Sequence, residues 1–96
     1  MGIGMQIVYA GFGGSARVEA EACVQLLRLE RMGARLAGCG LTIEAREGGA
    51  GYRVGLELTF EDGATRRLAP VVDEDAGAAL RGVFDAATEA MREAVR

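Results

Sequence analysis

Residues 41–72 alternate between apolar and polar side chains, and this alternation constrains the fold more than any other feature of the chain. In residues 41–46 one side of the predicted strand carries Leu41, Ile43 and Ala45, and the other side carries polar residues. Residues 52–60 repeat the pattern. A period of two predicts β-strands that bury one face only. We therefore expect a sheet with one face in the core and the other in water.

The segments around this region complete a β-α-β-β-β-α order. Amphipathic helices are predicted over Ala16–Met32 and Asp75–Val95, and an apolar strand over Met5–Phe12. A strand-helix-strand connection places strands 1 and 2 parallel, whereas the short connections that follow predict antiparallel hairpins. Both helices must cover the single apolar face. We predict one α+β domain over residues 1–96, with residues 1–4 as a loose lead-in: a two-layer sandwich with sheet order 1-2-3-4 and both helices on one face.

Spacing at about 100° per residue predicts which helix faces are buried. For the first helix the predicted buried side comprises Ala16, Ala20, Cys23, Leu26, Leu27 and Glu30, with Ala22 and Leu29 at its margin. For the second helix it comprises Ala76, Leu80, Val83, Phe84, Ala87, Met91 and Val95. Ser15 is predicted to cap the first helix at its N-terminus, and Gly33 to end it.

The last hairpin has a predicted register. A loop of two residues would pair Leu58 with Arg67 and drive an arginine into the core, whereas a loop of three residues, 62–64, pairs Leu58 with Leu68. We expect the longer loop, with a bulge at Gly63. Pro70 favours an edge position for strand 4, because proline has no N–H to donate.

The composition argues against catalysis. The chain has no His, Lys, Asn or Trp, so all of its basic side chains are arginines, and the usual general bases and Schiff-base residues are missing. We expect a non-enzymatic protein with no cofactor and no metal site. The two cysteines are expected to be reduced thiols in a cytoplasmic protein. No apolar run reaches the roughly 18 residues that a membrane span requires.

A glycine-rich turn leaves a nucleotide-binding interpretation open. Residues 11–16 fit G-x-G-x-x-A after a strand and before a helix, so Gly11, Gly13, Gly14 and Ser15 could cradle a phosphate on free N–H groups. Glu44, the acidic residue on the next strand, comes about eight residues later than that fingerprint expects, and strands 2 to 4 form a meander. A flexible loop is the favoured interpretation.

Four arginines form a row on the first helix and just beyond it: Arg17, Arg28, Arg31 and Arg35. Such a row is either a solvated face, with Glu21 pairing with Arg17, or a stripe that contacts phosphates. The formal net charge is −3, whereas strong non-specific nucleic-acid binders are usually basic. A phosphate-binding role would therefore depend on the local stripe.

Several segments resemble one known family. They are Leu26–Met32, Arg35-Leu36, Leu41–Glu44, Glu74-Asp75 followed by Ala78-Ala79-Leu80, and Met5-Gln6-Ile7. The pattern resembles the ribosome hibernation promoting factor family, also called ribosome-associated inhibitor or sigma-54 modulation proteins. The resemblance spans nearly the whole chain with the same element order.

The resemblance implies a domain that sits in the mRNA and tRNA channel of the small ribosomal subunit and blocks translation in starved or stationary cells. The family's basic positions at the end of the first helix correspond to Arg28 and Arg31, and we expect Arg35 and Arg17 to support them on ribosomal RNA. Longer members carry a further domain that pairs ribosomes, so a chain ending at Arg96 is expected to act on single ribosomes. Its oligomeric state stays open between a monomer and a weak dimer. The alternatives are a protein-interaction domain of the same fold without ribosome affinity, and a nucleotide-binding protein.

Overall fold

The computed structural model describes residues 4–95. Its helices and strands are β1 (Gly4–Ala10), α1 (Ala16–Arg31), β2 (Leu36–Ala45), β3 (Tyr52–Phe60), β4 (Thr65–Asp73) and α2 (Ala76–Val95), with a short 3₁₀ turn at Glu47–Gly49. The predicted element order is confirmed. Gly4 already belongs to β1, and residues 1–3 of the predicted lead-in lie outside the described part.

The four strands form one sheet in the predicted order β1-β2-β3-β4. β1 runs parallel to β2, and the pairs β2-β3 and β3-β4 are antiparallel. One hydrophobic core unites side chains from both helices with the inner side of the sheet, including Leu41, Ile43, Val54, Leu56 and Leu58. The fold is therefore the predicted α+β sandwich with its helices on one face.

Strand β2 starts earlier than the alternation indicates. It begins at Leu36, and Cys39 is buried within it rather than lying at its edge. Gly38 and Gly40 interrupt the apolar pattern, but their backbones still pair with Thr59 and Glu57 of β3. Backbone pairing with β3 therefore extends the strand beyond the residues that alternate. The alternation of side chains does not reveal this pairing.

The predicted register of the last hairpin is wrong. Leu58 pairs with Arg66, and Leu68 pairs with Leu56. The loop does contain three residues, but they are 61–63: the Phe60 N–H donates to the Ala64 carbonyl over 2.8 Å. Gly63 takes a φ of 91°, as a bulge at this position requires.

A second irregularity in β4 explains how this register is tolerated. The pairing shifts between Val54 and Leu56 of β3, so that β4 has one additional residue there and Val71 comes opposite Val54. Arg66, opposite Leu58, stays exposed because β4 is the edge strand. Arg67 pairs with Glu57 and forms an ion pair with it.

Helix α2 buries the predicted face. Its buried side chains are Ala76, Ala79, Leu80, Val83, Phe84, Ala87 and Ala90. Met91 is half-buried against the core, and the side chain of Val95 lies outside the described part. A Cβ atom on Gly82 would come within 3.0 Å of a methyl carbon of Val71, so the missing side chain lets α2 approach β4 closely.

The predicted buried face of α1 is wrong. The buried side chains are Val18, Ala22, Gln25, Leu26 and Leu29. Of the six predicted residues only Leu26 is among them, and the other five are exposed. At about 100° per residue the centres of the two sets are about 120° apart, and Ala22 and Leu29, which were predicted at the margin, are fully buried. Both sides carry apolar residues, so the periodicity alone does not identify the one that packs inward.

Candidate nucleic-acid interface

Helix α1, which carries three of the four candidate arginines, has well-formed ends. The Val18 N–H donates to the Ser15 hydroxyl oxygen over 3.3 Å, which confirms the predicted N-cap. Gly33 follows the last turn with a φ of 93°, a left-handed conformation that favours glycine. Arg28 and Arg31 occupy the last turn, where positive charge also complements the helix dipole.

The structure brings two of the four arginines onto one short stretch of surface. All four are exposed. Arg28 and Arg31 lie about one turn apart and share a face of α1. Arg17 precedes Arg28 by eleven residues, about 16 Å along the helix axis. Arg35 lies beyond α1, in the connection to β2. The predicted row therefore consists of one close pair, Arg28 and Arg31, with Arg17 and Arg35 at a distance from it.

Arg35 is held close to an acidic turn. Its carbonyl oxygen accepts a hydrogen bond from the Glu61 N–H over 2.9 Å. Arg35, Glu61 and Asp62 line one pocket at the turn between β3 and β4. Two acidic residues at the same pocket reduce the attraction of this position for a phosphate.

Hydrogen bonds connect Arg28 to the second helix. Its guanidinium donates to Gln25 Oε1 over 2.9 Å, and Gln25 Nε2 donates to Glu21 Oε2 over 2.9 Å. Glu21 Oε1 lies 3.6 Å from Arg81 Nη1 of α2. The predicted pairing of Glu21 with Arg17 is therefore wrong: the carboxylate faces α2 and Gln25 instead.

Most arginines of the described residues, Arg28 and Arg31 among them, have no carboxylate partner. Arg67, Arg81 and Arg92 each form an ion pair with a carboxylate. Within residues 4–93, no carboxylate lies within ion-pair distance of Arg28 or Arg31. The partner of Arg28 is a neutral amide, which orients the guanidinium without neutralising its charge. Two exposed cations of this kind can bind phosphate oxygens.

The glycine-rich turn borders a different surface. β1 and β4 run in the same direction, so α1 and α2 both begin at one end of the sheet. A cleft of about 460 Å³ lies there, lined by Gly14 and Ser15 but not by Gly11 or Gly13. Sequence reasoning missed Arg81, which lines this cleft together with Arg17; its place on the outer side of α2 gave no signal.

Local packing explains two of these glycines without a ligand. Gly11 and Gly14 have φ values of 85° and 91°. A Cβ atom on Gly14 would lie 2.9 Å from the Tyr9 ring, and one on Gly11 would lie 3.2 Å from the Ala45 carbonyl oxygen. Ser15 serves as the helix cap.

Metal ligands, membrane spans and thiols are the remaining features of the described residues. Residues 4–95 contain no group of three or more side chains that could hold a metal ion. None of the helices in this part of the chain is long and apolar enough to cross a membrane. Both cysteines are free thiols; Cys23 is exposed, and burial raises the pKa of Cys39 to about 11.

Comparison with known proteins identifies the fold through structure rather than sequence. No protein-family model and no curated protein sequence matches the chain. A ribosomal subunit interface protein from Coxiella burnetii superposes with a TM-score of 0.81 at 10% identity, over 98% of this chain and 100% of that one. The N-terminal domain of Protein Y from Thermus thermophilus superposes with a TM-score of 0.74 at 18% identity, over the full length of both chains. The chain therefore shares its fold with these two proteins, which confirms at the level of fold the resemblance found in the sequence.

Proposed function

We propose that this chain is a non-enzymatic ribosome-associated factor that binds ribosomal RNA of the small subunit through α1 and inhibits translation. Two independent likenesses support the proposal: the family pattern in the sequence, and the fold shared with proteins named for a ribosomal subunit interface and for Protein Y. The observation that carries it is that Arg28 and Arg31, both exposed and without a carboxylate partner among residues 4–93, lie together in the last turn of α1.

In this proposal Arg28 and Arg31 contact phosphate oxygens of ribosomal RNA. Guanidinium groups donate two parallel hydrogen bonds to a phosphate, which makes arginine suited to this role. Because the net charge of the chain is −3, general attraction does not provide the affinity and the local pair must. Arg17 and Arg35 contribute less to RNA binding. Arg17 lies far from the pair along α1, and Arg35 has acidic neighbours.

Co-sedimentation with small ribosomal subunits tests the proposal. The wild-type protein should sediment at low salt, and its affinity should fall steeply with salt, because each neutralised phosphate contributes about 0.7 to 0.9 to the log-log slope. The double variant Arg28→Glu/Arg31→Glu should no longer sediment. The matched control is Arg46→Glu/Arg53→Glu, which reverses two exposed arginines away from α1 and should keep most of the binding.

The outcomes separate a specific site from general charge. Circular dichroism should show that both double variants stay folded. Exposed substitutions typically change stability within about 0.5 kcal/mol, and the loss of the hydrogen bond from Arg28 to Gln25 Oε1 adds a cost of about 0.5 to 1.5 kcal/mol. Equal loss of binding in both would argue against a site on α1. Absence of wild-type sedimentation at low salt would refute ribosome binding and leave the protein-interaction alternative. In a translation assay, the wild type should inhibit protein synthesis and the α1 variant should not.

The nucleotide-binding alternative has its own test. Gly14, Ser15 and Arg17 line one cleft, so a nucleotide would be expected there. Arg17→Gln suits the test, because Arg17 is exposed and lines this cleft, whereas Gly13 does not line it. Saturable binding of a nucleotide that this variant abolishes would favour the alternative. Unchanged protein fluorescence and stability on addition of nucleotides would exclude it.

A further inference from the structure

Helix α1 presents an apolar surface to solvent. This surface, which we call the outer stripe, consists of Ala16, Ala20, Cys23, Val24 and Leu27, and all five residues are exposed. Val24 and Leu27 keep 53% and 52% of their surface accessible. Single exposed apolar residues are common, but five along one side of a helix form a continuous patch. Nothing in residues 4–95 covers it.

The shape of the outer stripe suits another helix. Ala16, Ala20 and Cys23 have small side chains, which allow a neighbouring backbone to approach, while Val24 and Leu27 supply larger apolar surface beside them. The spacing of Ala16, Ala20, Cys23 and Leu27 alternates between four and three residues. This is the spacing with which paired helices bring their apolar residues into one seam.

Charged residues border the outer stripe asymmetrically. At about 100° per residue, Glu19 and Glu30 lie along one side, and Arg17 and Arg31 lie along the other. All four are exposed. A partner that packs on the stripe must therefore present basic groups to one border and acidic groups to the other.

A second copy of α1 meets this requirement in one orientation. If a two-fold axis runs parallel to the helices, the acidic border of each copy faces the basic border of the other. A helix rises about 1.5 Å per residue. Along the helix axis, Glu30 is then offset by about 1.5 Å from Arg31 of the second copy, and Glu19 is offset by about 3 Å from Arg17 of the second copy. An antiparallel pair would place like charges together. We propose that the outer stripe is a self-association surface on which two copies of this chain pack their α1 helices in parallel.

This surface overlaps the proposed RNA interface. Arg17 and Arg31 belong to both, so a copy engaged in the dimer has fewer arginines available for phosphate. A single helix stripe buries a small area, so the dimer is expected to be weak and populated at high protein concentration. Self-association can be measured without ribosomes, so its failure would leave the proposed function untouched, and failure of ribosome binding would leave this inference untouched.

Sedimentation equilibrium across a range of protein concentrations provides the first test. The wild-type mass should rise from that of one chain toward that of two. Leu27→Glu should hold the protein at the mass of one chain throughout. Val72→Glu is the matched control, since Val72 is also exposed, at 49%, but lies in β4 far from α1 in the chain; it should behave as wild type. A wild-type protein that stays monomeric at the highest concentration, or equal effects of both substitutions, would overturn the proposal.

Cross-linking tests the parallel orientation. In a parallel pair Cys23 lies at the same height as Cys23 of the second copy, whereas Cys39 is buried. A short bismaleimide should therefore cross-link the wild type and Cys39→Ser, but not Cys23→Ser. Charge exchange is the second measurement: Glu30→Arg and Arg31→Glu should each weaken the dimer, and the double variant should restore it. Additive weakening in the double variant would overturn the parallel arrangement.

Discussion

Helix α2 buries the one apolar face it has, whereas α1 carries apolar residues on two faces and buries one of them. In α2 the side chains of Leu80 and Val83 are 0% exposed and that of Phe84 is 1% exposed. In α1, Leu29 is equally buried, but Leu27, two positions earlier, remains 52% exposed. The two helices therefore contribute alike to the core and differently to the surface.

This difference extends to the charges on the outer sides of the two helices. The outer side of α2 carries Arg81 and Arg92, each already paired with a glutamate. The outer side of α1 combines the outer stripe with Arg28 and Arg31, which lack a carboxylate partner within residues 4–93. A helix that only supports the core does not need an exposed apolar side. The unusual features of the molecule collect on α1.

The largest effect should separate the two faces of α1. Leu29→Ala removes a fully buried side chain and should lower the free energy of unfolding by about 2 to 5 kcal/mol. Leu27→Ala should change it by less than about 0.5 kcal/mol, because that side chain is half in water. Leu80→Ala in α2 should match Leu29→Ala. Urea unfolding measures all three, and a loss for Leu27→Ala as large as that for Leu29→Ala would contradict the assignment of the faces.

The two cysteines sharpen the comparison between the core and the outer stripe. The pKa of Cys39 is about 11 in the folded protein against 9.0 for the ordinary thiol. Below pH 9 the Cys39 thiol keeps its proton in both the folded and the unfolded protein. Above it the unfolded chain loses its proton first, so stability should fall by about 1 kcal/mol near pH 10. Urea unfolding at about pH 8 and pH 10 measures the loss. The loss should persist in Cys23→Ser and become smaller in Cys39→Ala. A part of it remains there, because burial also raises the pKa of Tyr9. A loss of the same size in Cys39→Ala as in the wild type would assign the effect to another group.

The helix caps should matter about equally in α1 and α2. Ser15 accepts from the Val18 N–H at 3.3 Å, and Asp75 accepts from the Ala78 N–H at 3.0 Å. Replacing either by alanine should cost about 1 kcal/mol, and replacing either by glycine only a few tenths. Thermal unfolding followed by circular dichroism provides the measurement. A much larger cost at Ser15 would indicate that this residue does more than cap α1.

The smallest effect concerns the ion pair between the helices. Glu21 and Arg81 lie 3.6 Å apart, with side chains 30% and 50% exposed. Surface pairs of this kind typically contribute less than about 1 kcal/mol. A double-mutant cycle with Glu21→Gln and Arg81→Gln should yield a coupling energy at the low end of that range. A coupling of several kcal/mol would mean that the contact between α1 and α2 depends on charge rather than on apolar packing in the shared core.

Much of the architecture could be predicted because it depends on local patterns. The alternation at Leu41, Ile43, Val54, Leu56 and Leu58 specifies which side of each central strand is apolar, and the connection lengths specify the strand directions. The candidate site was predictable only in part. Arg28 and Arg31 are neighbours because they share a helix turn, but the acidic surroundings of Arg35 and the partner of Glu21 depend on elements distant in the chain.

The sequence by itself determined the order of the elements, because each has its own periodicity along the chain. It also determined the inner face of the central strands and the buried face of α2, since each of these elements has a single apolar side. The tertiary structure decided which side of α1 faces inward and how β4 is aligned. For α1, both sides are apolar, and the inward one also holds Gln25, whose buried amide is satisfied by Glu21 and Arg28. For β4, a bulge in the edge strand lets both Leu68 and Val71 face the core. In both cases the choice depends on packing and hydrogen bonding across elements, which a pattern along one segment does not contain.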